Sequence, residues 1–279
     1  MALSQKRIDE LCDIARGIRE DIVDITAWAG GAHIGGALSV TDILVLLYWE
    51  VARVDPENPQ NPDRDRVILS KGHAGVGYAP VLARKGYFDF GLLKDFNKFM
   101  SPFGMHLDSL KVKGVDVSTG SLGHGLPMAV GLALGARLRK KTWTTWCILG
   151  DGELNEGSIW EAAMAAAHYK LSNIVTFVDR NRLMIDGPTE EVMALEPLAD
   201  KWKAYGFNVL SANGHDFAEL HAAVEAARKH TTGPSVILAD TVKGKGVGFM
   251  ENEVKWHYGG LSSDLVEKAK ESIRAEKAN

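Results

Sequence analysis

Residues 143–188, WTTWCILGDGELNEGSIWEAAMAAAHYKLSNIVTFVDRNRLMIDGP, decide how this chain folds. Trp146 to Leu149 is a short apolar run of the buried-strand kind, halted by Gly150-Asp151-Gly152. Ile159 to Tyr169 is alanine-rich at helical spacing. Ile174 to Val178 is a second β-branched run, ending at Asp179-Arg180-Asn181. The order is strand, acidic loop, helix, strand, polar loop. A right-handed βαβ unit puts both polar loops at the carboxyl edge of a parallel sheet, so Asp151 and Asn181 become neighbours. The predicted class is α/β: a doubly wound, mainly parallel sheet with helices on both faces.

That pairing has a chemical meaning. One carboxylate, one amide oxygen and nearby backbone carbonyls suit a hard divalent cation such as Mg²⁺, which leaves room for phosphate oxygens. Gly150 and Gly152 let a diphosphate approach the main chain closely. The helix that follows adds its positive N-terminal end. A lone Gly-Asp-Gly is common turn punctuation; the strand–helix–strand setting and Asn181 give it its weight.

With its helix and asparagine, this block resembles the thiamine-diphosphate motif. The wider match resembles the N-terminal half of transketolases, especially one subunit of split transketolases. It is carried by GAHIGG (31–36), LSKGHA (69–74), GMHLD (104–108), STGSLGHG (118–125), the 150–188 block and KGKGVGFMENEVKWH (243–257). The resemblance implies a thiamine-diphosphate-binding fold with thiamine diphosphate and Mg²⁺, or Ca²⁺ or Mn²⁺ in its place. It implies Asp151, Asn181 and the Leu183 carbonyl as metal ligands, and Ile185 against the cofactor. Gly120, Ser121 and Leu122 would pack on the thiazolium ring, with Gly150, Gly152 and Glu153 around the diphosphate. His33, His106 and His257 would line the donor-sugar channel, while His73 and His257 approach the diphosphate. The chain departs from the family at Ala32, at Met105, at Ser121 where many members carry Pro, and at His124 where many carry Gln.

The residues alone also speak for the histidines. His33, His73, His106 and His257 sit in four separate glycine-bearing loops that such a sheet would gather. None has the paired spacing of a zinc site. Groups titrating near neutrality suit hydroxyl binding, proton transfer and diphosphate neutralisation. Lys243 and Lys245 read either as an anion-binding loop or as a mobile solvated turn. Glu156 and Glu161 complement a helix dipole, or, by resemblance, lie between active sites. His124 is read as a helix N-cap. No G-x-G-x-x-G or G-x-x-x-x-G-K-[ST] occurs, which argues against dinucleotide and P-loop readings.

The chain has 279 residues, enough for a large core, and 29 glycines, an excess that phosphate and cofactor loops explain. A formal charge of −4 leaves no basic footprint for nucleic acid. Cys12 and Cys147 lie far apart, which reads as a reduced, cytoplasmic protein. Asp9, Glu10, Asp13 and Glu20 exclude a signal peptide, and no run of 18 apolar residues suggests a membrane partner. Residues 4–28 read as an amphipathic helix. Ser39 is read as starting the next helix, with Asp42 in a capping box. Residues 55–65 form a proline-rich loop, 67–69 a strand, 73–85 a helix, and 88–118 a long loop of the functional kind. Helices follow at 127–140 and 198–205, a strand at 207–210, and a helix capped by Asp216 with Glu219 in its capping box. A strand at 235–239, a glycine-rich loop at 243–260 and a charged, exposed helix at 262–276 complete a single predicted domain, 1–279.

In transketolases the glutamate that activates the aminopyrimidine lies on a further domain. The polar last helix reads as a natural subunit end. The expected protein is therefore the diphosphate-side subunit of a split transketolase, moving a two-carbon ketol unit from a ketose phosphate to an aldose phosphate. Its expected partner is a separate C-terminal subunit, two of each in a heterotetramer. The alternatives are a deoxyxylulose-phosphate synthase-like enzyme, an α subunit of a two-oxoacid dehydrogenase, or a non-catalytic cofactor-binding homologue.

Overall fold

A computed structural model describes residues 2–275. Helices α1 (Gln5–Trp28) and α2 (Ile34–Leu46) precede strand β1 (Arg66–Leu69), followed by α3 (Gly75–Lys85) and α4 (Gly125–Leu138). Then come β2 (Thr145–Gly150), α5 (Gly157–His168), β3 (Ile174–Arg180), the short α6 (Thr189–Val192) and α7 (Leu198–Ala204). Strand β4 (Asn208–Asn213), α8 (Phe217–Lys229), β5 (Ser235–Asp240) and α9 (Ser263–Ala275) complete the order. The five strands form one sheet, β1-β2-β3-β5-β4, with every pairing parallel.

Alternate strand residues serve opposite faces, as the period of two requires. Trp146, Ile148, Val175, Phe177 and Ile237 face a core built with α1, α2, α3 and α8. Cys147, Leu149, Ile174, Val178 and Val236 face a second core with α4, α5 and α7. Both faces are thus covered, and a slip of one residue would exchange the two sets. The carboxyl ends of β2 and β3 lie level, with Gly150 opposite Asp179, so Asp151 and Asn181 emerge at the same edge.

Several expectations need correction. The second helix begins at Ile34, and Ser39 lies in its middle, bonding Gly36 O and Asp179 rather than capping. Within it Gly35 permits close approach, since a Cβ there would fall 2.7 Å from Trp256 O. A π-helical turn, Leu47–Val51, prolongs this helix. The stretch Ile34–Val51, despite Asp42 and Glu50, is long and apolar enough to cross a membrane, yet 89% of it is buried inside this fold. The last helix is amphipathic rather than simply exposed. Ala269 and Ile273 are fully buried, and Lys270 and Arg274 pair with Asp24 and Glu20 of α1. Residue 276 of the predicted span lies outside the described residues. Asp216 caps α8 as predicted, but Glu219 reaches back to Asn213 N instead of closing the box. The 243–260 loop is pinned, not mobile: Ala32 and Gly259 form an antiparallel bridge and Lys243 is 2% exposed.

Candidate active site

The loops after β1, β2, β3 and β5 meet the start of α2 around a cavity of about 340 Å³. His33, His73, His106 and His257 all line it, with Asp151, Asn181 and Leu183. Gly120, Leu122, Gly150, Gly152, Glu153 and Ile185 complete the expected set; Ser121 is exposed and does not line it. Sequence reading missed Gly36, Lys71, Met184 and, as a buried group, Lys243, which also face the cavity. A larger cleft of about 910 Å³ opens beyond the ends of β3, β4 and β5, sharing only Asn181 and Leu183 with the first. It contains neither the carboxylate Asp151 nor the four clustered histidines, so the smaller cavity is the candidate site.

The imidazoles interlock. The His33 ring centroid lies 5.0 Å from His73 and 5.4 Å from His257, and His73 stacks on His257 at 5.5 Å. Tyr258 adds an edge contact to His33 at 5.0 Å. Burial favours the neutral form of each ring. It lowers His33 to about 4, His73 to about 2 with help from Lys71, and His257 to about 3 with help from Lys243. His106 moves the same way for the same reason. Burial thus favours neutral rings at neutral pH, each with one N–H donor and one acceptor nitrogen. The buried His33 Nδ1 has no hydrogen-bond partner among the described residues, leaving it available to a ligand.

A pH test follows from His73. Its folded pKa lies below the ordinary 6.5, so as pH falls through 6.5 the unfolded chain binds a proton that the native chain refuses. Below that point His73 costs native stability. We expect the Tm of the ligand-free protein, measured against His73→Gln, to fall between about pH 7.5 and about pH 5. A difference independent of pH would contradict a buried neutral imidazole.

The metal-side groups are held by a buried polar network. Asp179, at the end of β3 and 0% exposed, takes Lys71 Nζ at 2.5 Å, Ser39 Oγ at 2.6 Å and the Thr241 hydroxyl. Burial would raise its pKa, but Lys71 and these hydrogen bonds outweigh it and hold the carboxylate ionised. Asn181 Nδ2 points back at Asp179 and Ser39, at 3.5 and 3.4 Å, which turns its amide oxygen the other way, towards Leu183 N at 3.2 Å. Asp151 is 2% exposed; it accepts Arg182 N at 2.5 Å, Gly152 N at 2.8 Å and Arg180 Nη1 at 3.3 Å. Burial and the neighbouring Asp179 still push its pKa up. A divalent cation would relieve that cost.

Glu153 is turned away from ligand duty. Its carboxylate takes Ser70 Oγ at 2.5 Å, Gly123 N at 2.9 Å and Gly150 N at 3.0 Å, tying the loops after β1 and β2 to the one before α4. Gly123 has φ +83°, and a Cβ there would strike Ser158 and Glu156. Lys243 Nζ donates to the Leu183 carbonyl at 3.0 Å and lies 2.8 Å from His257 Nδ1; burial and Lys71 lower its pKa to about 8. His124 occupies the N-cap position of α4 without capping it, because its ring bonds Leu122 O instead. Glu156 and Glu161 are exposed at the start of α5.

These residues fit a cation carried by a diphosphate. Among the described residues no three His, Cys, Asp or Glu side chains cluster as a self-sufficient metal site. One carboxylate, one oriented amide and one carbonyl leave coordination positions for phosphate oxygens.

Comparison with known proteins points the same way. The family described as "Transketolase, thiamine diphosphate binding domain" matches residues 11–278. The chain is 41% identical over 276 residues to 6-deoxy-6-sulfo-D-fructose transketolase subunit SqwG of Clostridium sp. (strain MSTE9), covering 99% of this chain and 100% of that protein. It is 40% identical over 251 residues to one of the apulose-4-phosphate transketolase subunits of Phocaeicola vulgatus, covering 90% and 89%. Among solved structures, transketolase from Leishmania mexicana superimposes with a TM-score of 0.90 at 28% identity. That match covers 96% of this chain but 42% of the other. The chain thus spans less than half of that transketolase and nearly the whole of the subunit relatives.

Proposed function

This chain belongs to the transketolase family, and from that premise we propose that it is the diphosphate-side subunit of a two-chain transketolase. In this reading the complete enzyme moves a two-carbon ketol unit from a ketose phosphate to an aldose phosphate in the cytoplasm. The observation that carries it is the single cavity joining Asp151, Asn181 and Leu183 to His33, His73, His106 and His257. Thiamine diphosphate, when bound, supplies the electron sink for cleaving the ketose. Asp151, the Asn181 amide oxygen and the Leu183 carbonyl would hold Mg²⁺ beside its diphosphate. Lys243 and His73 add donors on the same side.

His33 and His257, neutral and adjacent, hold the donor's hydroxyls and move the proton that C–C cleavage releases. His106 stands beside Gly120 on the channel wall, where a Cβ at Gly120 would lie 3.3 Å from its ring. Glu153 keeps the surrounding loops rigid, so the donors stay aimed. Relatives named for sulfofructose and for apulose phosphate support a subunit type that serves several ketoses.

The division of labour is testable in the complemented enzyme. His33→Ala should lower kcat/KM for the donor roughly 10- to 100-fold while cofactor affinity shifts by less than about twofold. Loss of cofactor binding in that variant, or unchanged kcat/KM, would remove His33 from the donor channel.

A further inference from the structure

His215 lies between β4 and α8, outside the cavity, and has no part in the proposed reaction. Its side chain is 10% exposed and both ring nitrogens are engaged. Nε2 is 2.8 Å from the backbone N–H of Val242, which can only donate, so Nε2 is the acceptor. The proton therefore sits on Nδ1 and is donated to Asp42 Oδ2 at 2.6 Å. Asp42, on α2 and 3% exposed, is gripped in turn by Arg19 of α1 at 3.1 and 2.5 Å. The imidazole thus bolts the segment after β5 to two helices.

The residues on either side of Val242 reach the proposed metal ligands. Thr241 donates its hydroxyl to Asp179, the carboxylate that also turns the Asn181 amide. Thr241 N also bonds Arg180 O at 3.2 Å. Lys243 donates to the Leu183 carbonyl. The apposition is close: a Cβ at Gly214, next to His215, would fall 2.3 Å from Thr241 Cγ2.

We propose that His215 is a positioning residue for the metal–diphosphate site. In its Nδ1–H tautomer, fixed by Asp42, it sets the height of residues 241–243 and so the aim of the Asn181 amide oxygen and the Leu183 carbonyl. Groups one step behind metal ligands commonly change metal affinity by about 10- to 100-fold when removed. The proposal rests on the function proposed for the site. Glutamine at 215 keeps both an N–H donor for Asp42 and an oxygen acceptor for Val242 N–H, whereas alanine offers neither.

The test is calorimetric titration of thiamine diphosphate into the full chain, with and without Mg²⁺. It compares wild type, His215→Ala and His215→Gln, each with its own thermal unfolding curve. We expect His215→Ala to lose about 10- to 100-fold of the Mg²⁺-dependent affinity and His215→Gln to stay within about threefold of wild type. Where the alanine variant does not fold, His215→Phe, which keeps a ring without the two bonds, takes its place. A lowered Tm with wild-type affinity would make His215 a packing residue and overturn the proposal. A glutamine variant as weak as alanine would overturn it too. Absence of Mg²⁺-dependent binding in the wild type would instead overturn the metal-site reading, and the positioning role with it.

Discussion

Asp151→Ala should remove at least about 100-fold of the Mg²⁺-dependent affinity for thiamine diphosphate, because a first ligand matters more than the groups that orient it. Asp151 supplies the only negative charge among the three proposed ligands; Asn181 and Leu183 offer neutral oxygens. The site around it is cationic, with Lys71, Lys243 and Arg180 close by. Without the carboxylate a divalent ion would face those charges with only neutral oxygens as protein ligands, Asp179 being taken up by Lys71. The alanine variant also leaves the Arg182 and Gly152 N–H groups without their acceptor, which weakens the loop itself. Asp151→Asn separates the two effects, since it keeps an acceptor and the side-chain volume while dropping the charge. We expect it to unfold within a few degrees of wild type and still to lose the metal dependence, as calorimetry with and without Mg²⁺ would read. Unchanged affinity in Asp151→Asn would remove Asp151 from the metal.

The part of this site that could be read from sequence is the part encoded locally. Asp151 and Asn181 stand directly after two apolar runs, so strand period and loop chemistry place them at one edge without tertiary information. The four histidines were found through their glycine-bearing loops, since glycine marks where backbone approaches a ligand. The buried network behind them was not legible. Asp179 ends a strand, yet its partners Ser39, Lys71 and Thr241 come from three other segments, and only the folded sheet brings them together. For Lys243 the sequence leaves an anion-binding loop and a solvated turn both open, because lysine is rarely buried; the Leu183 carbonyl and the His257 ring supply its buried partners. Ser39 misled for a related reason. A serine three residues before an aspartate mimics a capping box, but here each goes to a distant partner, Asp179 and Arg19. The one sequence signal for the network is a lysine inside the otherwise small and apolar LSKGHA stretch.

The largest effect expected concerns the missing half of the reaction. Thiamine chemistry needs a carboxyl group at the pyrimidine end of the cofactor, and this cavity offers two carboxylates, Asp151 and Glu153. Asp151 is the proposed metal ligand, and Glu153 is consumed by Ser70 and two backbone N–H groups, with burial raising its pKa. Neither can serve the far end. The Clostridium and Phocaeicola relatives are named as subunits, and the transketolase chain from Leishmania mexicana is more than twice as long as this one. We expect the purified chain to show no ketol transfer and to gain it on mixing with a pyrimidine-side chain, forming an assembly with two copies of each.

The most direct measurement is therefore a ketol-transfer assay on this chain, on a pyrimidine-side transketolase subunit, and on the two mixed, all with thiamine diphosphate and Mg²⁺. The account predicts turnover only in the mixture, abolished there by Asp151→Ala. Robust ketol transfer by the isolated 279-residue chain would contradict it.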